Sequence, residues 1–427
     1  MTQEVKQRIE QIRRGEVPEG YVKTRAGIMP LDWEVNVPAK AVFKNHSDKK
    51  HNGQFEVLSA TQDRGIIPRN EVDIDIKYDE GGIDSYKKVE KGDFVISLRS
   101  FQGGIEYSEY DGLVSPAYTV LKAKKPIYPG YYRAYFKTVD FINRLNGAVY
   151  GIRDGKQIGY EDFGDLIIHY PPLEEQKKIA QVLDACDRVI ELKQKLLDEL
   201  KKLKKVRLEK MFPQKGNSVP EIRFSDFTGS WDYYKLSRLM DFSNGFNGDA
   251  SLYGRGIPYI SVVDILNNKY ITYQCIQGKV DIDEKSITKY AVGYGDVLFQ
   301  RCSENVEEAG SSNVYISDQT VAFGGFVIRG KRKAEYDAYY MKNVLDSSAI
   351  RSQIVSRAQG AQHINISQET LMGVHINIPS LDEQKKIGRF FLDTDDLIAL
   401  YQKELEEEQR KKKALMQLLL TGIVRAK

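Results

Sequence analysis

Residues 329–365 hold the densest group of side chains that could grip a polyanion. Arg329, Lys331, Arg332 and Lys333 come first, and Arg357, Gln359, Gln362, His363 and Asn365 follow. Cations neutralise phosphate, while Gln, Asn and His offer the donors and acceptors that read base edges. The stretch 329–363 has 7 basic and 3 acidic residues, whereas 71–93 is acidic by 8 to 4, so charge is polarised along the chain. Lys44, Lys49 and Lys50 form a second basic group, and Arg153, Lys156 and Gln157 a third. Arg64, Arg69, Arg99, Arg255 and Arg301 complete the candidate nucleic-acid contacts. Arg99 and Arg301 each follow a Gly-Asp pair but fall one residue out of register, so they are not equivalents. The plainer alternative for any of these residues is a solvated loop.

No catalytic constellation accompanies them. The only Pro-Pro pair, Pro171-Pro172, lies between Tyr170 and Leu173 and lacks the Asn/Asp-Pro-Pro-aromatic pattern that adenine methylation needs. Gly325 to Lys331 approaches a phosphate loop, but Arg332 stands where Ser or Thr would hold magnesium. Asp281, Asp283, Glu284 and Lys285 supply nuclease residue types without a supporting Pro-Asp strand. His46, His51, His169, His363 and His375 show no metal-ligand spacing, and no Ser or Cys sits in a nucleophile elbow. No catalytic, cofactor-binding or metal-ligating residue is assigned, which points to a binding or organising protein. Cys186, Cys275 and Cys302 are too scattered for a disulfide framework and suit a reducing cytoplasm. No apolar run reaches the ~18–20 residues of a membrane helix. A net charge of +3 excludes a uniformly basic coat protein but not local patches.

The 427 residues, enough for two to three domains, are organised as a tandem repeat. Pro171-Pro-Leu-Glu-Glu-Gln-Lys-Lys-Ile179 returns as Pro379-Ser-Leu-Asp-Glu-Gln-Lys-Lys-Ile387, identical at seven of nine positions. Trp33 pairs with Trp231, Gly92-Asp93 with Gly295-Asp296, and Val17-Pro18-Glu19 with Val219-Pro220-Glu221. Each repeated motif opens a helix of about 40 residues, roughly 60 Å long. Ile179, Leu183, Ile190, Leu197 and Leu200 make an a/d stripe on the first helix. Ile387, Phe391, Ile398, Tyr401, Leu405, Leu415 and Leu419 do so on the second. Polar residues such as Lys193, Lys204 and Lys412 interrupt both stripes. The spacing predicts that the helices pair with each other, antiparallel. Leu192, Leu196 and Leu203, flanked by Val182 and Val206, add a second apolar line on the first helix, suited to docking a partner.

Between the helices, β-branched and aromatic runs at 55–59, 92–97, 118–121, 257–263, 296–299 and 321–328 predict strands. Helices are predicted over 131–145 and 338–357, with Tyr131-Tyr132 and Tyr339-Tyr340 serving helix packing rather than base stacking. The fold class is therefore α+β. Its parts are an N-terminal helix over 1–15 carrying Val5, Ile9 and Ile12, β-rich domains over 16–170 and 214–378, and helical segments over 171–213 and 379–427. The N-terminal helix stands where the second long helix would continue, so the arrangement should be circular with pseudo-twofold symmetry.

Two divergent domains, each followed by a Pro-x-Leu-(Glu/Asp)-Glu-Gln-Lys-Lys-Ile helix, resemble the specificity subunit of type I restriction–modification systems. The resemblance covers essentially the whole chain, and Gly151-Ile-Arg-Asp-Gly-Lys-Gln-Ile158 agrees with it, although segment 1–28 is longer than the minimal form. It implies two target-recognition domains, each reading half of an asymmetric bipartite site in double-stranded DNA, with the helices as spacer. It also implies two modification subunits that carry S-adenosylmethionine and methylate a flipped adenine, and restriction subunits that use ATP and magnesium. This chain would hold no cofactor and be non-catalytic by itself, with Leu192, Leu196 and Leu203 facing a modification subunit. The rival readings are a self-contained DNA methyltransferase or nuclease, and a coiled-coil scaffold that never meets DNA.

Overall fold

A computed structural model describes residues 2–24, 27–46, 48–51, 55–72, 80–147, 158–360 and 363–426. Arg153, Lys156, Gln157 and Gln362 lie outside the described residues. The chain forms two compact units, residues 1–193 with 404–427, and residues 194–403. Each unit thus takes part of both long helices.

Both units are built on an antiparallel four-stranded sheet of one topology. In the first unit the order is Phe43–Asn45, Thr119–Ala123, Phe94–Ile96, Glu106–Tyr107. In the second it is Met240–Asn244, Val327–Arg332, Val297–Gln300, Ser312–Val314. A two-stranded ribbon also recurs, Glu34–Pro38 with Ile167–Tyr170 and Asp232–Lys235 with His375–Ile378. The Gly-Asp signpost has a local cause. Gly92 and Gly295 adopt φ of +99° and +84°, and the buried Asp93 and Asp296 carboxylates accept from the backbone N–H of Glu90 and Gly293. Glycine relieves the left-handed turn, and aspartate satisfies its orphaned amide.

Several predicted elements break where a side chain competes with the backbone. The helix expected over 131–145 is two, Pro129–Tyr135 and Val139–Gly147. Thr138 divides them: its hydroxyl donates to Tyr135 O and accepts from Phe141 N. Ser347 likewise separates Ala338–Asp346 from Ser348–Val355, its hydroxyl donating to Val344 O. The run 257–263 ends as a strand at Ile260, because Ser261 and Asp264 form a capping box that starts helix Val262–Asn267. Tyr131, Tyr132 and Tyr340 are fully buried in the two cores, and Tyr339 packs edge-on against Tyr270.

The long helices run Leu173–Lys210 and Leu381–Leu420. The second stops at Gly422, whose φ is +72°. A Cβ there would lie 2.6 Å from Pro30 Cδ, so glycine serves both the turn and the close approach. The N-terminal helix Gln3–Arg13 buries no residue, yet Arg8 donates to Ile423 O and Tyr21 to Gly422 O. The two ends of the chain therefore meet within the first unit.

Candidate nucleic-acid interface

The repeated motif is the positioning device. Gln176 donates through Nε2 to Pro171 O (2.8 Å) and accepts at Oε1 from Tyr128 N (2.9 Å). Gln384 repeats this with Pro379 O (2.9 Å) and Asp337 N (3.1 Å). Each buried amide ties the start of a long helix to the start of the helix pair that covers the sheet. The preceding glutamate is gripped by arginine: Arg425 reaches Glu175 at 2.8 and 2.6 Å, and Arg223 reaches Glu383 at 2.7 and 2.7 Å. Such two-pronged pairs fix orientation as well as charge. Trp33 Nε1 adds a 2.9 Å bond to Glu175, whereas Trp231 Nε1 is buried without a partner. Burial works to raise the Glu175 pKa, but the bonds from Arg425 and Trp33 outweigh it and hold the carboxyl below its ordinary range.

Along the helix pair, Ile179, Leu183, Leu197, Ile387, Phe391, Leu405 and Leu419 are buried. Ile190, Leu200, Ile398, Tyr401 and Leu415 are half-buried. The charged interruptions of the stripes are answered from the other helix. Lys193 pairs with Glu404 (2.6 Å), Lys204 with Asp395 (2.6 Å), and Lys412 with Asp187. As one number of each pair climbs the other falls, so the helices are antiparallel. Leu192, Leu196 and Leu203 are exposed, Leu192 at 66%, and with Val182 and Val189 they form an uncovered line at heptad spacing.

In the first unit Lys87, Arg69 and Arg99 act on Tyr118, the residue before the central strand Thr119–Ala123. Lys87 Nζ donates to Tyr118 O. Burial first, and Lys49 second, push the Lys87 pKa down. Arg69 donates to Ser59 Oγ (3.2 Å) and lies over the Tyr86 ring at 5.9 Å. Burial raises the Tyr118 phenol, while Arg69 and Arg99 pull it back. Thus Arg69 and Arg99 act on one residue, to which Lys87 is added unforeseen. Lys87 was hidden in sequence by its acidic surroundings. Lys44 is exposed on an edge strand opposite Lys122, and Lys50 is exposed beside Asp48. Arg64 is tied to its own loop through Glu71 O (3.0 Å).

In the second unit the candidates are spread over several clefts. Exposed Arg301 bonds Gly325 O (3.3 Å), and strand Cys302–Ser303 pairs with Ile364–Asn365. Arg301, Gln359, Asn365 and Asn244 line one cleft of about 300 Å³. His363 lines another of about 650 Å³ with Gln300, Glu304, Glu308 and Phe326, whose ring is 68% exposed. Lys331 and Lys333 are exposed, and Lys333 pairs with Asp241 at 3.2 Å. Exposed Arg357 bonds Gln353 O and lines a separate cleft with Lys215 and His375, and Arg255 pairs with Asp281 at 3.0 Å. Two expectations need correction. Arg329 is only 7% exposed: it donates to Ala291 O and lies 5.3 Å from the Phe323 ring, because its position on the central strand faces the core. Arg332 is half-buried, with its guanidinium spent on Ala334 O and Tyr336 O. Neither is a surface contact.

Among the described residues no cluster of three His, Cys, Asp or Glu side chains could hold a metal, and no helix is long and apolar enough to cross a membrane. The profile of the family described as type I restriction modification DNA specificity domain matches residues 35–202 and 230–408. The type I restriction enzyme MjaX specificity subunit of Methanocaldococcus jannaschii is 26% identical over 442 residues, covering 96% of this chain and 97% of that protein. The MjaVIII specificity subunit of the same organism is 24% identical over 277 residues, covering 62% and 64%. A chain from a structural study of complex assembly and conformational transition of the type I R-M system superposes with a TM-score of 0.59 at 16% identity, covering 93% of this chain and 99% of that one. The HsdS subunit of Thermoanaerobacter tengcongensis gives 0.50 at 18% identity, covering 96% and 98%, so the likeness is one of fold. With two copies of the matched domain along its length, the chain belongs to the type I restriction–modification DNA specificity family, as a two-domain specificity subunit.

Proposed function

We propose that each unit reads one half of an asymmetric, bipartite site in double-stranded DNA, and that the long helices set the separation of the halves. The observation that carries this is one sheet topology presented twice with unlike side chains in the segments around it: Lys49, Arg69, Lys87 and Arg99 in one unit, and Arg301, Gln359, His363 and Asn365 in the other. Helices of 38 and 40 residues span about 57 and 60 Å, between one and two turns of B-DNA at about 34 Å per turn. Mapping methylated adenines in cells with and without this chain tests the reading. The expected result is one split motif, with different halves, that vanishes with the chain. A continuous or unchanged motif would refute it.

The uncovered line Val182, Val189, Leu192, Leu196 and Leu203 is the docking surface for a modification subunit, two of which complete the methyltransferase. S-adenosylmethionine belongs in those subunits, and ATP and magnesium in restriction subunits, all in the cytoplasm. Replacing Leu192, Leu196 and Leu203 together with Lys should abolish co-purification of the modification subunit while the chain stays folded. Unchanged complex formation would move the docking surface elsewhere. Methyl transfer or DNA cleavage by the isolated chain would revive the enzyme reading, and the absence of a split footprint from the assembled complex would favour the scaffold.

A further inference from the structure

One turn recurs in both units at the entry to the central strand of the sheet. Tyr118 N donates to Ser115 O (3.0 Å) in the first unit, and Val327 N to Gly324 O (2.8 Å) in the second. Pairing with the Gly-Asp strand puts Leu121 opposite Phe94 and Gly330 opposite Val297, so Phe326 stands where the first unit has Ala117. The shared scaffold therefore does not call for an aromatic at that place. Phe326 is nonetheless 68% exposed, and Val263, which lines the same cleft of about 650 Å³, is 63% exposed. The turn beneath the ring is well held. Val327 is fully buried, Phe326 O accepts from Arg301 N (2.9 Å), and Gly324 N donates to Ile260 O (3.0 Å).

What surrounds this apolar pair is polar. The cleft also holds Glu304, Glu308 and His363, and the exposed Arg301 guanidinium reaches Gly325 O of the same turn at 3.3 Å. Carboxylates repel phosphate, so the cleft is no place for the DNA backbone. A protein-docking face has a broader apolar core. Two apolar side chains ringed by hydrogen-bonding groups match instead the edge of a base pair. In the major groove an A·T pair displays the thymine methyl, the O4 and N7 acceptors and the adenine N6 donor side by side. The methyl suits Phe326 and Val263, the adenine amine suits a carboxylate, and the acceptors suit a His363 N–H. Resting on the DNA reading above, we infer that Phe326 and Val263 read a methyl group: they bury the 5-methyl of one thymine in the half-site of the second unit. That position then rejects cytosine, whose C5 carries no methyl. The first unit, with Ala117 on its turn, lacks the ring that would do this.

The test measures binding of the assembled methyltransferase to a duplex carrying the split site found by the methylation map. Each thymine of the site, on either strand, is replaced in turn by deoxyuridine, which removes the methyl alone. Wild-type affinity should fall about fourfold, the worth of one buried methyl, at one thymine in one half only. Phe326→Ala should weaken binding to the thymine duplex and abolish that difference, so that thymine and uracil bind alike. Val263→Ala, at an exposed position, should narrow the difference as well, and it keeps the test open if the first variant does not fold. Uracil accepted at every position by the wild type overturns the inference, as does a thymine preference that survives both substitutions. Loss of co-purification with the modification subunit on Phe326→Ala also overturns it, because the ring would then be a protein contact. None of these outcomes touches the split-site reading, which stands or falls with the methylation map.

Discussion

The two units seal the same motif with different pieces of chain. In the second unit Glu383 is gripped by Arg223, which lies beyond the end of the first long helix. In the first unit Glu175 is gripped by Arg425, beyond the end of the second long helix, with Asp32 and Trp33 adding their own bonds. Each unit is thus closed by the segment that follows a helix begun in the other. The repeat explains why the glutamates match. It does not require the arginines to occupy equivalent positions, and they do not. The charge pairing recurs while the source of the arginine differs.

Substitutions can separate the two closures. Glu383→Ala leaves Arg223 in a largely buried site without its carboxylate and should destabilise the second unit by about 3–5 kcal/mol in denaturant unfolding. In a Trp33→Phe background, where no indole N–H is left to orphan, Glu175→Ala should cost less in the first unit, because Asp32 remains on Arg425. Equal losses would erase the distinction. Next in size, Trp33→Phe should cost about 1–2 kcal/mol more than Trp231→Phe, since only the Trp33 N–H has a partner to lose.

Acid should act through the same pair. The Glu175 carboxyl is held below its ordinary value, so its contribution is present at neutral pH and is lost as pH falls below about 4.3. Glu175→Gln should remove that part of the first unit's acid sensitivity, and an unchanged pH profile would show that the pair does not govern it. Among the helix-pairing lysines, Lys204→Ala should cost about 1 kcal/mol and Lys193→Ala less, because Asp395 is 11% exposed against 40% for Glu404. Smallest of all, Arg255→Ala should change stability by less than about 0.5 kcal/mol, since its pair with Asp281 stands in solvent.

What could be read from the residues alone follows from how local each cause is. The Pro-x-Leu-Glu-Glu-Gln signal, the heptad stripes and the Gly-Asp turns depend on neighbours a few positions away, and they lie where the spacing puts them. The shared sheet topology was hidden, because strands such as Phe94–Ile96 and Val297–Gln300 need only be apolar and are identical at no aligned position. Arg329 was misplaced by parity: alternate residues of a central strand face opposite sides, and composition cannot say which side a basic residue takes. Lys87 meets Tyr118 O across 31 residues of chain, a contact that no local pattern announces. Thr138 and Ser347 broke helices for a readable reason, a hydroxyl competing for the backbone, but the same residues sit inside intact helices elsewhere, as Thr394 does.

The buried glutamines also give the motif a direction. Gln176 offers an N–H to one carbonyl and an oxygen to one amide, a polarity that a carboxylate of the same shape cannot reproduce. Writing the pair Glu175-Gln176 as Gln-Glu would keep composition, volume and helix propensity. It would nevertheless set a negative charge against the Pro171 carbonyl and hand Arg425 a neutral amide. The order of two adjacent letters is therefore a chemical instruction in its own right, and a motif search that treats them as interchangeable would accept chains that lose both the donation to Pro171 O and the charge opposite Arg425.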